Sequence, residues 1–116
     1  MKSYTDLKQS KTLEKILPLE SADLYYDIGF DNEYHIQMPT NGYFGNKRFF
    51  IQFPEAVPCW SLAALINALP AGKVLIHDKG DLGYKCICIN VDTDFYDNPV
   101  DAFYEMIIKL KENKIL

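Results

Sequence analysis

Residues 74–91 read VLIHDKGDLGYKCICINV, and this run constrains the fold more than any other part of the chain. Two apolar segments flank the turn-forming residues 79–83, so the run predicts a β-hairpin. Residues 84–91 alternate as a strand does, but both faces of that strand are apolar. One face carries Ile87, Ile89 and Val91, and the other carries Tyr84, Cys86 and Cys88. A strand buried on both faces belongs in the middle of a sheet.

The last helix has the clearest boundaries in the sequence. Asn98 is a favourable N-cap, Pro99 follows at the first helical position, and Asp101 lies in the electropositive first turn. Its broad apolar face consists of Val100, Phe103, Tyr104, Ile107, Ile108 and Leu110. The sequence therefore predicts an amphipathic helix that begins at Pro99 and packs on a sheet.

Two further helices precede it. The first is predicted from about Asp6 to Leu17, with Thr5 as its N-cap and Pro18 as its stop. The second is capped by Ser61 and ends at the proline and glycine of positions 70 and 72. Its apolar residues recur at helical spacing, as Leu62, Leu65, Ile66 and Leu69.

A second hairpin is predicted in the first half of the chain. Tyr34–Met38 and Arg48–Phe53 both alternate with the period of a half-buried strand. Residues 39–46 between them are rich in turn formers, which predicts a long hairpin tip. Leu24–Ile28 alternates more weakly and is predicted as a short additional strand.

These elements predict an α+β fold in a single domain, residues 1–116. The two hairpins supply an antiparallel sheet of about four to five strands, and the three helices pack mainly on one of its faces. A length of 116 residues suits one domain, and 48% hydrophobic residues are enough for one core. The element order lacks the repeated βα units of a doubly wound fold.

Charge and composition argue against several classes of function. The formal net charge is −4 and the cations are scattered, so no nucleic-acid partner is predicted. No apolar run approaches the roughly 20 residues of a membrane helix, and no signal-peptide pattern opens the chain. An odd count of three cysteines favours reduced thiols and a cytoplasmic location.

The cysteines are the main candidates for chemistry. Cys59 and Trp60 precede the second helix, and a helix N-terminus favours the thiolate form of a cysteine. Nucleophilic catalysis by Cys59 would also need a base, and His35 and His77 are the only histidines of the chain. Cys86 and Cys88 point the same way along a strand and, with Cys59 or His77, have the donor types of a zinc site. Buried cysteine is nevertheless a common core residue, and the core interpretation is favoured. Nucleotide-binding glycine motifs are absent, so no cofactor is predicted.

The predicted hairpin tip carries the candidate binding residues. Tyr43 and Phe44 lie where large apolar side chains are normally avoided, and aromatic residues make good interface anchors. The alternative is that the tip folds back and buries them. Cys59 and Trp60 complete the set of candidate binding residues.

Several segments resemble a known family. They are LKQSK at 7–11, LPLESADLYY at 17–26, PCWSLAAL at 58–65 and PVDAFYEMI at 99–107. The chain resembles a family of short uncharacterised proteins common in Bacteroidetes genomes, often in prophage-like or other mobile regions. The resemblance implies a bacterial, cytoplasmic, mobile-element context and brings no activity or catalytic residue with it. It also implies that residues 58–61 are a signature, for packing at a helix start or for binding.

The function predicted from the sequence is a non-enzymatic protein-interaction or accessory module, which binds a protein partner or self-associates. The predicted alternative is a small cysteine- or metal-dependent enzyme that uses Cys59, His77, Cys86 or Cys88.

Overall fold

The computed structural model describes residues 1–38, 55–78 and 80–116. In these residues the α-helices are α1 (Leu7–Leu13), α2 (Leu62–Ala68) and α3 (Pro99–Glu112), and a 3₁₀ turn spans Leu19–Ser21. The strands are β1 (Leu24–Ile28), β2 (Tyr34–Gln37), β3 (Val57–Cys59), β4 (Val74–Asp78), β5 (Gly83–Cys88) and β6 (Val91–Asp92).

The described strands form two antiparallel sheets of three strands each. Their orders are β2-β1-β3 and β4-β5-β6. The predicted α+β class is therefore confirmed, but the single sheet of four to five strands is not. The chain leaves β3 directly into α2, and Tyr4 bridges Ser61 just beyond the end of β3. The N-terminal segment thus lies beside the end of the first sheet.

The first sheet contains an unpredicted hairpin. β1 pairs with β2 from Tyr25 opposite Gln37 to Ile28 opposite Tyr34. The predicted strand over Tyr34–Met38 is confirmed, and its described partner is β1. The predicted strand over 48–53 and the hairpin tip over 39–46 lie outside the described residues.

The second sheet confirms the central place of β5 and corrects its length. β5 lies between β4 and β6, with Cys86 and Cys88 buried on one face and Ile87 only partly buried on the other. The strand ends at Cys88, however, and Ile89 and Asn90 connect it to β6 as a two-residue turn. Both turn residues have positive φ, 50° at Ile89 and 61° at Asn90, as a type I′ turn requires. The prediction of one strand through Val91 was wrong because the apolar alternation continues through Ile89 and so gives no sign of the turn.

Isoleucine is unfavourable at position 89 of that turn, and we expect its replacement to stabilise the protein. A β-branched side chain is strained at positive φ, whereas asparagine tolerates it. Ile89 is also 47% exposed, so little packing is lost. Ile89→Asn should raise the free energy of unfolding by about 1 kcal/mol, measured by urea denaturation. Leu82→Asn is the control, because Leu82 is exposed without a positive φ. A lower stability for Ile89→Asn than for the wild type would contradict this account.

The main core lies between α3, α2 and the inner face of the second sheet. Its fully buried members include Leu13, Trp60, Leu65, Cys86, Cys88, Val100, Met106, Ile107 and Leu110. A smaller cluster of Tyr26, Val57 and Cys59 lies under the first sheet, where Leu7 of α1 packs against it. The helices thus cover two sheets rather than one face of a single sheet.

Two of the three predicted helix N-caps are confirmed. Ser61 accepts a hydrogen bond from the Ala64 N–H at 3.2 Å, and Asn98 accepts one from the Asp101 N–H at 2.8 Å, as predicted. The N-cap of α1 is Asp6 rather than Thr5, and Asp6 forms a capping box with Gln9. Thr5 is fully buried instead. The first helix ends at Leu13, short of the predicted Leu17.

No helix in the described parts of the chain is both long enough and apolar enough to span a membrane.

Candidate functional site

The end of β3 meets an N-terminal arm, defined here as residues 2–6. The Thr5 N–H donates to the Trp60 carbonyl at 2.9 Å, and the Leu62 N–H donates to the Ser3 carbonyl at 3.1 Å. The Trp60 N–H donates to the Thr5 hydroxyl at 3.2 Å. The arm therefore runs beside the predicted signature, residues 58–61, as an added extended segment.

Cys59 is fully buried beneath this arm. Its sulfur lies 3.5 Å from the Thr5 hydroxyl oxygen and 3.4 Å from the Thr5 carbonyl oxygen. Burial raises the pKa of the Cys59 thiol, and this outweighs the hydrogen bonds from neighbouring hydroxyl groups that act to lower it. The thiol is therefore protonated at neutral pH, which is the opposite of an activated nucleophile.

Trp60 is also fully buried and anchors several segments. Its indole Nε1 donates to the Ser21 hydroxyl at 2.9 Å. The next residue, Ser61, donates its backbone N–H to Asp23 at 2.8 Å, and its hydroxyl donates to the second oxygen of the same carboxylate. These contacts support the packing interpretation of residues 58–61, since neither Cys59 nor Trp60 presents its side chain at the surface.

The two histidines lie in different places and do not contact the Cys59 sulfur, whose hydrogen bonds are to Thr5. His35 is exposed on β2 and is 2.9 Å from the Asp31 carboxylate in the β1–β2 turn. This hydrogen bond lowers the pKa of Asp31. His77 stacks on Tyr84, with ring centroids 4.2 Å apart and nearly parallel planes. A cysteine–histidine pair is not assembled here.

Cys86 and Cys88 face the main core from β5 and are fully buried. Burial, followed by the neighbouring Cys88, raises the pKa of Cys86 to about 11. Within residues 1–38, 55–78 and 80–116, no group of three or more histidine, cysteine, aspartate or glutamate side chains is placed to hold a metal ion. The remaining candidates, Tyr43 and Phe44, lie outside the described residues.

The arm also carries a polar cluster that sequence reasoning missed. Lys2 Nζ lies 2.9 Å from an Asp6 carboxylate oxygen and 2.8 Å from an Asp101 carboxylate oxygen. Gln9 and Asn98 each donate to Asp101 at 2.8 Å. Lys2 and Asp101 are 99 residues apart, so no local sequence signal joins them. The cluster ties the arm to the beginning of α3.

The electrostatics of the cluster stabilise its charged forms. Burial acts to raise the pKa of Asp101, but hydrogen bonds from Lys2, Gln9 and Asn98 outweigh it and hold that pKa below its ordinary value. Burial likewise acts to lower the pKa of Lys2, and the hydrogen bonds to Asp101 and Asp6 raise it instead. Both groups are therefore charged and paired at neutral pH.

We expect Asp101→Asn to lower the free energy of unfolding at pH 7 by about 1 kcal/mol, because a partly exposed charged hydrogen-bond network is lost. Since the folded-state pKa of Asp101 is lowered, its contribution is present above the ordinary pKa of 3.8 and disappears as the pH falls through the folded value. The stabilities of wild type and variant should therefore converge in acid. Asp94→Asn, at an exposed carboxylate, is the control. Parallel pH profiles for wild type and Asp101→Asn would contradict the prediction.

A cavity of about 340 Å³ lies along the arm. Its lining comes from the arm, Met1 and Tyr26 of β1. The rings of Tyr4 and Tyr26 meet edge to face, 6.5 Å apart. The Tyr26 hydroxyl donates to the Thr5 carbonyl at 2.7 Å, and burial raises the Tyr26 pKa well above its ordinary value. The arm is thus hydrogen-bonded along one side and loosely packed along the other.

The outer edge of the second sheet, along β4, has no neighbouring strand among the described residues. β4 is an edge strand, and among the described strands only β5 pairs with it. Val74 is 52% exposed, Leu75 is 38% exposed and His77 is exposed. The strand has no proline, lysine or bulge within it, although such features normally protect edges. The sequence predicts this strand, but only the structure shows that it lies at the edge of the described sheet.

Comparisons with protein-family models, with curated proteins and with solved structures found no match to this chain. The resemblance to a Bacteroidetes family therefore stays a prediction from the quoted segments.

Proposed function

We propose that this protein is a non-enzymatic interaction module that self-associates through the open edge of β4. The observation that carries the proposal is that β4 is an edge strand among the described residues and has exposed aliphatic side chains. Such an edge offers unpaired backbone N–H and C=O groups in an array that another extended strand satisfies. The bacterial, prophage-like origin and cytoplasmic location belong to the same proposal and rest on the resemblance and the cysteine count.

Face geometry favours a second copy as the partner. A two-fold axis perpendicular to the sheet leaves each side chain on the same face of the sheet. Two antiparallel β4 strands related by this axis must therefore have one residue that lies opposite its own copy. Pairing about Leu75 places Leu75 opposite Leu75 and Val74 opposite Ile76, aliphatic against aliphatic. Pairing about Ile76 instead places Val74 opposite Asp78, and Asp78 already accepts backbone hydrogen bonds in the β4–β5 turn.

The dimer would contain one continuous six-stranded sheet. On its outer face, the partly buried Ile87 of β5 lies opposite Val74 in the known register. Pairing about Leu75 extends this row to Ile76 of the second copy. Cross-strand pairs of this kind stabilise sheets by a few tenths of a kcal/mol to about 1 kcal/mol each. The association is therefore expected to be weak and concentration-dependent.

The enzyme alternative has less support. All three cysteines are buried, and burial raises the pKa of Cys59 and of Cys86. A cysteine enzyme needs the reverse, an accessible thiol with a lowered pKa. No observation in the described residues favours this second function over the first.

Sedimentation velocity from about 10 µM to about 1 mM protein tests the proposal. We expect the sedimentation coefficient to rise with concentration, and Leu75→Lys to weaken association by about tenfold or more because two lysines then face each other. Leu82→Lys is the matched control, since Leu82 is also an exposed leucine, 59% against 38% for Leu75, and lies off the strand. A strict monomer over this range, or equal weakening by both variants, would refute self-association through β4.

The register has its own test. Leu75→Cys places two thiols directly opposite each other across the axis, within reach of a disulfide. Val74→Cys faces Ile76 of the partner and should crosslink much less under the same mild oxidation. Equal crosslinking of both variants would contradict pairing about Leu75.

A further inference from the structure

We propose that the N-terminal arm, residues 2–6, is a strap that lifts off the end of β3 as a unit while the main core stays folded, with the Lys2–Asp101 ion pair as its clasp. This inference concerns the first sheet and does not rest on self-association through β4.

The first argument is the solvent exposure of most of the arm. Thr5 is the arm's one fully buried residue, and it is hydrogen-bonded to Trp60, Tyr26, Ser10 and Cys59. Ser3 adds one backbone hydrogen bond, from the Leu62 N–H. Ser3 and Asp6 are exposed. Tyr4 is the arm residue that packs against the smaller apolar cluster, and it does so only partly buried. Segments with few buried apolar contacts open locally well before a protein unfolds globally.

The second argument is the space beside the arm. The 340 Å³ cavity is lined by Lys2, Ser3, Tyr4 and Asp6, so these residues lack packing on one side. Side chains that border an open pocket contact solvent there and forgo the dispersion contacts that a close-packed core provides. The arm consequently loses less on opening than a segment packed on all sides.

The third argument is the placement of the clasp. Lys2 precedes the hydrogen-bonded part of the arm and reaches across to Asp101 at the start of α3. Apart from the arm's own Asp6, Asp101 is the acidic group paired with Lys2 among the described residues. The ion pair therefore joins the arm to the main core, and its removal should shift the opening equilibrium without altering that core.

Opening has a defined consequence, which is exposure of Cys59. The Thr5 hydroxyl and carbonyl both contact the Cys59 sulfur, so lifting Thr5 uncovers the sulfur on the side of the arm. Cys86 and Cys88 lie in the main core and need global unfolding. The three cysteines thus report local and global opening separately within one molecule.

N-ethylmaleimide labelling of the native protein, followed site by site by peptide mass spectrometry, tests the proposal. We expect Cys59 to react at least about tenfold faster than Cys86 and Cys88. Lys2→Met should increase the Cys59 rate about fivefold and leave the other two unchanged, since a partly exposed ion pair of this kind contributes up to about that factor. Lys8→Met, at an exposed lysine of α1, is the matched control.

Three results would overturn the strap. One is a common rate for all three cysteines, and another is an unchanged Cys59 rate in Lys2→Met. Should that variant fail to fold, amide hydrogen exchange of the wild type decides instead. The Thr5 and Leu62 N–H groups are then expected to exchange together, at least about tenfold faster than Met106 in α3. Exchange as slow as that of Met106 is the third overturning result.

Discussion

Gly83→Ala is expected to destabilise the protein by about 3 kcal/mol or more, because the new methyl group collides with backbone rather than with a movable side chain. A Cβ at position 83 would lie 2.1 Å from the Tyr96 carbonyl oxygen and 2.9 Å from its carbon. Gly83 also has φ +91°, which side chains rarely adopt.

The collision cannot be relieved without breaking hydrogen bonds. Tyr84 and Tyr96 exchange two backbone hydrogen bonds of 2.6 and 2.7 Å, and these hold the segment before α3 against β5. Moving Tyr96 disturbs both bonds and the approach to the Asn98 cap. Urea denaturation followed by circular dichroism measures the loss.

Gly72→Ala is the control that separates strain from collision. Gly72 has φ +85°, close to that of Gly83, but a Cβ there meets no atom of the described residues within 4 Å. Gly72→Ala should lower the free energy of unfolding by only about 1 kcal/mol, because only the backbone conformation is strained. Equal losses for the two variants would show that Tyr96 does not press on Gly83.

Trp60→Ala should cost about 3–5 kcal/mol, the range for emptying a buried aromatic site. Trp60 is fully buried in the main core, and its indole Nε1 also donates a hydrogen bond to the Ser21 hydroxyl. Trp60→Phe keeps most of the apolar volume and loses the indole hydrogen bond. Ser21 retains its hydrogen bond to the Pro18 carbonyl, so this variant should lose only about 1–2 kcal/mol.

The pair of variants also distinguishes packing from binding at residues 58–61. A packing role predicts that stability falls in the order wild type, Trp60→Phe, Trp60→Ala. Because this is the only tryptophan of the chain, unfolding should be followed by circular dichroism. A loss below about 1 kcal/mol for Trp60→Ala would mean that Trp60 does not anchor the core.

Short-range patterns predicted much of the local structure. The Asn98 cap with Pro99, the Ser61 cap and the β4–β5 hairpin each depend on residues within a few positions of one another, and the structure contains all three. The apolar character of both faces of β5 also predicted its central place. These features were predictable because backbone capping, turn formation and side-chain alternation act over short stretches of chain.

Predictions were wrong where contacts between distant parts of the chain decided the local structure. Ile89, the first residue of the β5–β6 turn, is not a usual turn residue, so the sequence predicts a continuous strand there. Thr5 looks like a helix cap but is buried against Cys59 instead, and Asp6 takes the cap. The local pattern predicts Thr5 as the cap, but the contact of Thr5 with Cys59 of β3 buries that side chain, and Asp6 caps the helix.

By itself, the sequence determined an α+β chain, the start of its last helix and the buried character of its cysteines. Only the tertiary structure decided that the described strands divide into two sheets, that Lys2 reaches Asp101 and that β4 lies at an edge of its described sheet. The reason is physical: caps and turns depend on neighbours along the chain, whereas sheet edges and distant ion pairs depend on which surfaces the folded chain brings together.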